Sequence, residues 1–403
     1  MAAHTPPPTP SAASLAALLT EADVMPPGWA EVFAAVPRAA FVPDLVWAHD
    51  PATGTYTALD RTQAPERWAA AVYGNTALVT QWDDGDHTGP EPGRLATSSA
   101  SMPSVVADMI YDLKVSDGDR VLDVGTGTGY TAALLAARLG VDQVVTVEVD
   151  PVLADQARVN LARADAPVKV VTGDGTEGWP DAAPYDLVHV TAGTRSIAPA
   201  WLAQTRPGGR IVAPWGTDYS PHDALVALTV HDPHHASGRF TVAASFMKIR
   251  AQRPNRPGHA AYTPPGWTDH ARASVSTVTL GEVSGGEYDA REFAVGLAVP
   301  GCTKAIARDT DATTVWLYSL ATTADDALSV AAATFPHDAD QAPAVWQAGP
   351  RSLWDEVEAA HAWWDGLGKP EVYDFGLTVT IADDGTVHQT PWHEDPDHPV
   401  PAA

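Results

Sequence analysis

The chain has 403 residues, room for two or three domains, and carries 24 Lys and Arg against 50 Asp and Glu, a net charge of −26. That balance argues against a nucleic-acid partner, because a phosphate backbone is bound through clustered Lys and Arg. One cysteine, Cys302, excludes an internal disulfide or a thiolate metal cluster; lacking an apolar run of about 18 residues or a signal-like start, the chain reads as cytoplasmic with no membrane partner.

In chain order, residues 1–12 are rich in Pro, Ala and Thr and read as a disordered tail. From residue 13 to about residue 50 the pattern predicts two helices ending in AVPRAAFVP, Ala35 to Pro43. An acidic link follows, AVYGNTALVTQWDDGDHTGPEPGRLATSSAS, Ala71 to Ser101. Pro103 then opens a helix bearing Val106, Met109 and Ile110, which makes Ser101 a candidate N-cap as well as a candidate for chemistry.

The densest information lies in VLDVGTGTGY, Val121 to Tyr130, followed by VVTVEV ending at Glu148 and Val149. A buried strand runs into a turn at Gly125, Gly127 and Gly129, then into a helix; such a turn lets backbone approach a ligand closely. Alone, that spacing fits an NAD, FAD or S-adenosylmethionine (SAM) site. Glu148, at the end of the second strand, is placed to accept ribose hydroxyls. Next come a short strand ending in Gly173-Asp174-Gly175 and the strand PYDLVHVTAG, Pro184 to Gly193, containing Thr191. Ligands of doubly wound sheets sit at the carboxyl ends of strands, where Gly125, Glu148, Asp174 and Thr191 all fall. SAM has no diphosphate to place over the glycines, and its adenine amino group suits an acid such as Asp174, so the site reads as SAM-binding. The plainer readings are that Asp123 only braces the loop and that Asp174 only forms a turn.

WLAQTRPGGRIVAPWG, Trp201 to Gly216, predicts a helix, a turn at Pro207, Gly208 and Gly209, and a strand. His231, His234 and His235 with Asp232 read as a hairpin loop, and no metal is assigned to them. After a Pro-rich connector, Arg250 to Trp267, the tail predicts strands at FAVGLAV (Phe293 to Val299) and from Thr314. It then predicts a helix over Ser352 to Leu367 and a hairpin turning at Asp384-Gly385. Trp346, Trp354, Trp363 and Trp364 are core residues or contacts for a peptide.

Two segments carry a family resemblance. Ser101-Met-Pro103-Ser-Val-Val106-Ala107-Asp-Met109 and the Arg38-x-x-Phe41-Val-Pro43 segment, together with the glycine loop and GDG, resemble protein L-isoaspartate O-methyltransferases. The resemblance implies a doubly wound, Rossmann-like α/β methyltransferase sheet over residues 13–250, with a helical N-terminal segment and SAM as cofactor. An α+β extension for peptide recognition would then occupy residues 251–403. It also implies that Asp123, Gly125, Thr126, Gly127, Gly129, Glu148, Asp174, Gly175 and Thr191 hold SAM. Ser101, flanked by Ser99 and Met102, would face the methyl acceptor.

Ordinary repair enzymes carry a short P-I-G-x-G-Q-T-I-S link where this chain has Ala71 to Ser101. The run from Trp68 to Thr80, TSSAS at Thr97 to Ser101 and the tail resemble instead the subfamily that accompanies ATP-grasp ligases in crosslinked ribosomal-peptide (graspetide) pathways. That resemblance implies methylation of an Asp side chain in a crosslinked precursor peptide, the ester collapsing to aspartimide and on to isoaspartate. The alternatives are isoaspartate repair, a lanthipeptide-tailoring relative, and a SAM-binding protein without turnover.

Overall fold

The computed structural model describes residues 9–50, 53–254, 256–286, 289–320, 327–338 and 341–403. Residues 1–8 of the expected disordered tail lie outside these; the first helix begins within the rest of it, at Ala12, with Ser11 and Ser14 forming a reciprocal cap.

Three sheets organise the chain. The first is antiparallel, with strands β1 (Leu45–Asp50), β2 (Thr55–Asp60), β3 (Leu78–Trp82) and β4 (Ala96–Ala100) in the order β2-β1-β3-β4. The acidic link therefore supplies β3 and β4 to a small sheet that it shares with the preceding β1–β2 hairpin, with Val46, Leu59, Trp68, Val72 and Leu78 buried in one cluster.

The central sheet has a parallel half made of β5 (Val121–Val124), β6 (Val144–Glu148), β7 (Lys169–Thr172), β8 (Tyr185–Val190) and the start of β9 (Thr205–Gly216). β5 and β6 are buried on both faces because helices cover both, as parallel sheets require. β9 passes through the Pro-Gly-Gly expected as a turn, which instead makes an irregularity in its pairing with β8. β10 (Asp223–Asp232) and β11 (His235–Ala244) extend the sheet as an antiparallel hairpin turning at Pro233-His234, as the His-rich loop suggested.

A third, five-stranded sheet is built from β12 (Arg272–Val275), β13 (Cys302–Arg308), β14 (Ala312–Ser319), β15 (Val330–Pro336) and β16 (Ala344–Ala348). The last two strands, β17 (Phe375–Ile381) and β18 (Val387–His393), return to the central sheet, whose order is β18-β17-β11-β10-β9-β8-β5-β6-β7. Residues 251–403 are thus divided between a separate sheet and the edge of the central sheet.

One expected strand is a helix. All but the last residue of FAVGLAV lies in the helix Ala290–Ala298, which Val299 ends and at whose start the Asp289 side chain accepts from the Arg291 amide. This helix is apolar on nearly every side because Phe293 joins the core of the central sheet while Val295 joins that of the five-stranded sheet. A helix buried all round has no polar stripe, so its sequence mimics a buried strand.

Candidate active site

The parallel half of the sheet ends in one cleft of about 1060 Å³, lined from the glycine loop, Glu148, Asp174 and Thr191 across to Ser99 and Ser101. The backbone makes the first part of it. Gly125, Gly127 and Gly129 have φ of 93°, 52° and 91°, in the left-handed region that favours glycine. A Cβ at Gly125 would meet Thr191 Oγ1 at 2.9 Å. That hydroxyl donates to the Gly125 carbonyl at 2.6 Å, tying the turn to the end of β8.

Glu148 is 7% exposed. Its Oε2 accepts from the Gly127 amide at 2.8 Å and its Oε1 from the Asp150 amide at 3.0 Å. Burial nevertheless raises its pKa above the usual carboxylate value. A buried acid held by two amides at a strand end is arranged to accept donors from a ligand such as vicinal hydroxyls. Asp150 Oδ1 caps the helix Pro151–Arg163; its Oδ2 accepts from Gln81 Nε2 at 3.1 Å and Arg250 Nη2 at 2.7 Å.

Asp174 Oδ1 accepts from the Thr176 amide and hydroxyl at 2.9 and 2.8 Å, so it is a turn former as well as a cleft residue. Gly175 follows because a Cβ there would lie 2.5 Å from Val124 Cγ1.

Across the cleft stands Ser101. It does not cap the following helix: Met102 occupies that position and makes no side-chain bond to it. Among the described residues the Ser101 hydroxyl makes no hydrogen bond, while its carbonyl accepts from Arg38 Nη2 at 2.8 Å. Arg38 is fully buried and also donates to the carbonyls of Val72, Thr76 and Ala100 at 2.7, 3.1 and 3.0 Å. Burial holds its pKa down at about 10.

Of the residues proposed from sequence, Gly125, Thr126, Gly127, Glu148, Asp174, Gly175, Thr191, Ser99 and Ser101 share the cleft. Three do not line it. Asp123 is 1% exposed beneath the loop, 2.7 Å from His189 Nδ1 and accepting from Thr146 Oγ1 at 2.8 Å, so it braces the strands. Gly129 begins the helix Tyr130–Leu139 and packs on Leu161. Met102 stays at the N-cap. Trp346, Trp354, Trp363 and Trp364 are not cleft residues either; Trp354 and Trp364 are core, and Trp346 is on the outside of β16. From the sequence, Arg38 has a place in a family motif but no role, and Lys248, Arg250 and Arg253, which line the cleft, are not singled out. The signal available for these three was FMKIRAQR, a basic run in an acidic chain.

Comparison with known proteins shows the family of the chain. The family profile described as protein-L-isoaspartate(D-aspartate) O-methyltransferase matches residues 17–229, just over half of the chain. The chain belongs to this family. Two curated members, both called protein-L-isoaspartate O-methyltransferase, are similar. That from Methanoculleus marisnigri is 50% identical over 117 residues, 29% of this chain and 52% of the relative. That from Methylorubrum extorquens is 38% identical over 182 residues, 45% of this chain and 63% of the relative. The chain therefore spans between about half and two thirds of the length of these relatives.

A solved protein-L-isoaspartate O-methyltransferase superposes with a TM-score of 0.51 at 20% identity, covering 94% of this chain and 99% of that one. The fold is thus the α/β fold of SAM-dependent methyltransferases, and the similarity extends well past residue 250. SAM is the family's cofactor. Among the described residues, no helix of this methyltransferase-family chain is long and apolar enough to cross a membrane.

Proposed function

We propose that this chain transfers the methyl group of SAM to a carboxylate of a peptide, with an isoaspartyl residue as acceptor. The observation that carries the reading is the continuity of one cleft from Glu148 and Asp174, at the ends of the parallel strands, to Ser99 and Ser101. The donor set fits the cofactor: Glu148 for the ribose hydroxyls, Asp174 for the adenine amino group, and glycines where the backbone must come close.

Bound there, SAM supplies a methyl group that an ionised carboxylate takes in line while the sulfonium leaves as a neutral thioether, so no protein base has to remove a proton. The work of the chain is to position and to exclude water. Ser101 can donate a hydrogen bond that orients the acceptor. That bond has to stay modest, since a tighter one would favour the anion over the transition state. Arg38 keeps Ser101 in place through its carbonyl.

A second reading has an Asp side chain of a ribosomally made precursor as acceptor, after crosslinking by an ATP-grasp ligase, with the ester then closing to aspartimide. It is favoured by the sheet that replaces the short link, because β4 of that sheet brings Ser99 into the cleft and leads directly to Ser101. The test is mass spectrometry of three peptides incubated with protein and SAM: a linear isoaspartyl peptide, a precursor and its crosslinked form. A gain of one methyl on the isoaspartyl peptide is the expected result. Methylation and then methanol loss on the crosslinked precursor alone would replace the first reading with the second, and no transfer to any peptide would reject both.

A further inference from the structure

Lys248, Arg250 and Arg253 lie within six residues of one another and all line the cleft, in a chain whose acids outnumber its Lys and Arg by two to one. Two of them converge on a single acid from the replaced link. Arg253 Nη1 donates to Asp84 Oδ2 at 2.6 Å and its Nη2 to Asp84 Oδ1 at 3.0 Å, a bidentate pair. Arg250 Nε lies 2.9 Å from the same Oδ1.

The turn that presents Asp84 is an uncommon piece of backbone. Asp83, Asp84 and Gly85 follow one another with φ of 49°, 55° and 95°, and a non-glycine residue in the left-handed region is strained by its Cβ. The fold holds the turn in place. The Asp83 carboxylate accepts from the amides of Arg94 and Leu95 at 3.0 and 2.9 Å, and the Asp84 amide donates to Thr97 Oγ1 at 3.1 Å. Strain kept in this way at the rim of a cleft marks a residue with work to do there. The group is also reachable: the side chains of Asp84, Arg250 and Arg253 are 38%, 31% and 25% exposed. An ion pair this open to solvent is screened, so an incoming carboxylate can exchange with it.

We infer that Arg253, aided by Arg250, is the receptor for a second, non-reacting carboxylate of the peptide, and that Asp84 occupies that receptor until the peptide displaces it. The substrate class is then an acidic peptide, in which the methyl-accepting carboxylate has an Asp or Glu side chain nearby. This deepens the methyl-acceptor reading of the cleft and rests on it. At a net charge of −26, the protein repels such a peptide at long range, so selection has to be local, and a guanidinium fork suits it. Arg253 is the residue to test, because Arg250 also holds Asp150, the neighbour of Glu148 on the cofactor side.

The experiment is calorimetric titration of the full chain, saturated with S-adenosylhomocysteine, with two isoaspartyl peptides that differ only in flanking Asp and Glu against Asn and Gln. The acidic peptide binds about tenfold tighter, as expected for one charge-assisted bidentate contact, and the preference shrinks at high salt. Arg253→Gln removes the preference and Arg253→Lys restores part of it. Asp84→Asn tightens the acidic peptide by roughly threefold, because the internal competitor is gone. A clamp that only holds the fold gives the opposite: Asp84→Asn and Arg253→Gln then weaken both peptides alike. Equal affinity of the wild-type chain for the two peptides overturns the inference. Mass spectrometry of the same peptides with SAM separates the two ideas. Selective binding without methyl transfer sinks the methyl-acceptor reading and keeps the receptor, whereas transfer without preference does the reverse.

Discussion

At the scale of single residues, the cleft divides into side chains that open into it and side chains that hold those in place. Ser101 is of the first kind: its hydroxyl has no structural bond to lose among the described residues, so Ser101→Ala tests chemistry with little risk to folding. Methyl transfer should fall by about tenfold or more while SAM affinity, measured by calorimetry, stays within about twofold, since removing one orienting bond acts on the acceptor alone. Equal losses in both would make Ser101 part of the cofactor site. Arg38 is of the second kind. It donates to the carbonyls of Val72, Thr76, Ala100 and Ser101 within 3.1 Å and reaches that of Gly74 at 3.5 Å, tying together two separate stretches of chain with no acid beside it among those contacts. Arg38→Met should cost about 3 kcal/mol or more in chemical denaturation, because each buried carbonyl left unpaired carries its own desolvation penalty. A midpoint unchanged from wild type would refute the clamp. The difference in legibility between the two is physical. Ser101, Glu148 and the glycines have meaning at fixed short spacings, which a sequence displays. The partners of Arg38 are backbone atoms as far as 63 residues away, and a backbone carbonyl has no letter.

Elements were readable where their periodicity had one cause. Strands β5 to β8, the helix at Leu353–Gly366 and the β17–β18 hairpin fall where patterning put them. The helix Ala290–Ala298 did not, because it serves two cores and so lacks the polar stripe that would reveal it. Its neighbour in space, the helix Leu353–Gly366, carries a testable consequence of that packing. His361 is 5% exposed; burial first, then nearby Arg291, holds its pKa down from 6.5 to about 4. The sign follows from proton uptake. Between those two values the unfolded chain binds a proton that the folded chain does not, so stability is full above the unfolded pKa and is lost as pH falls. The loss is about 2 kcal/mol at pH 5 from this residue alone. Melting curves between pH 7 and 5 should show the wild type losing more than His361→Gln, with the two lines converging as pH falls. Parallel lines would mean that His361 does not carry the dependence.

Across the whole molecule, the sequence suggests a methyltransferase domain ending near residue 250 with an accessory module behind it, and the sheet topology joins what that boundary separates. β17 pairs with β11 from His235↔Thr380 to Arg239↔Gly376, more than a hundred residues beyond the connector. Pairing over such a separation leaves no local trace, which is why the hairpin was legible and its destination was not. The joint is also apolar: Ala236 and Phe240 of the β10–β11 hairpin share one cluster with Phe293, Trp364, Phe375, Leu377 and Val379. The sheet edge is fitted closely, since a Cβ at Gly376 would meet the Trp392 ring at 2.1 Å. Truncation after residue 250 therefore removes more than a recognition module. It bares β11 from His235 to Arg239 as an open edge and uncovers Ala236 and Phe240, which are buried in the intact chain, and an open edge beside newly exposed apolar side chains templates association. Residues 1–250 expressed alone should be aggregated or devoid of a cooperative melt, as read by light scattering and calorimetry. Activity lost in that truncation would then report unfolding and say nothing about peptide recognition. A monomeric fragment that melts cooperatively and binds SAM would show that the parallel half of the sheet stands alone, and that β17 and β18 only lean on it.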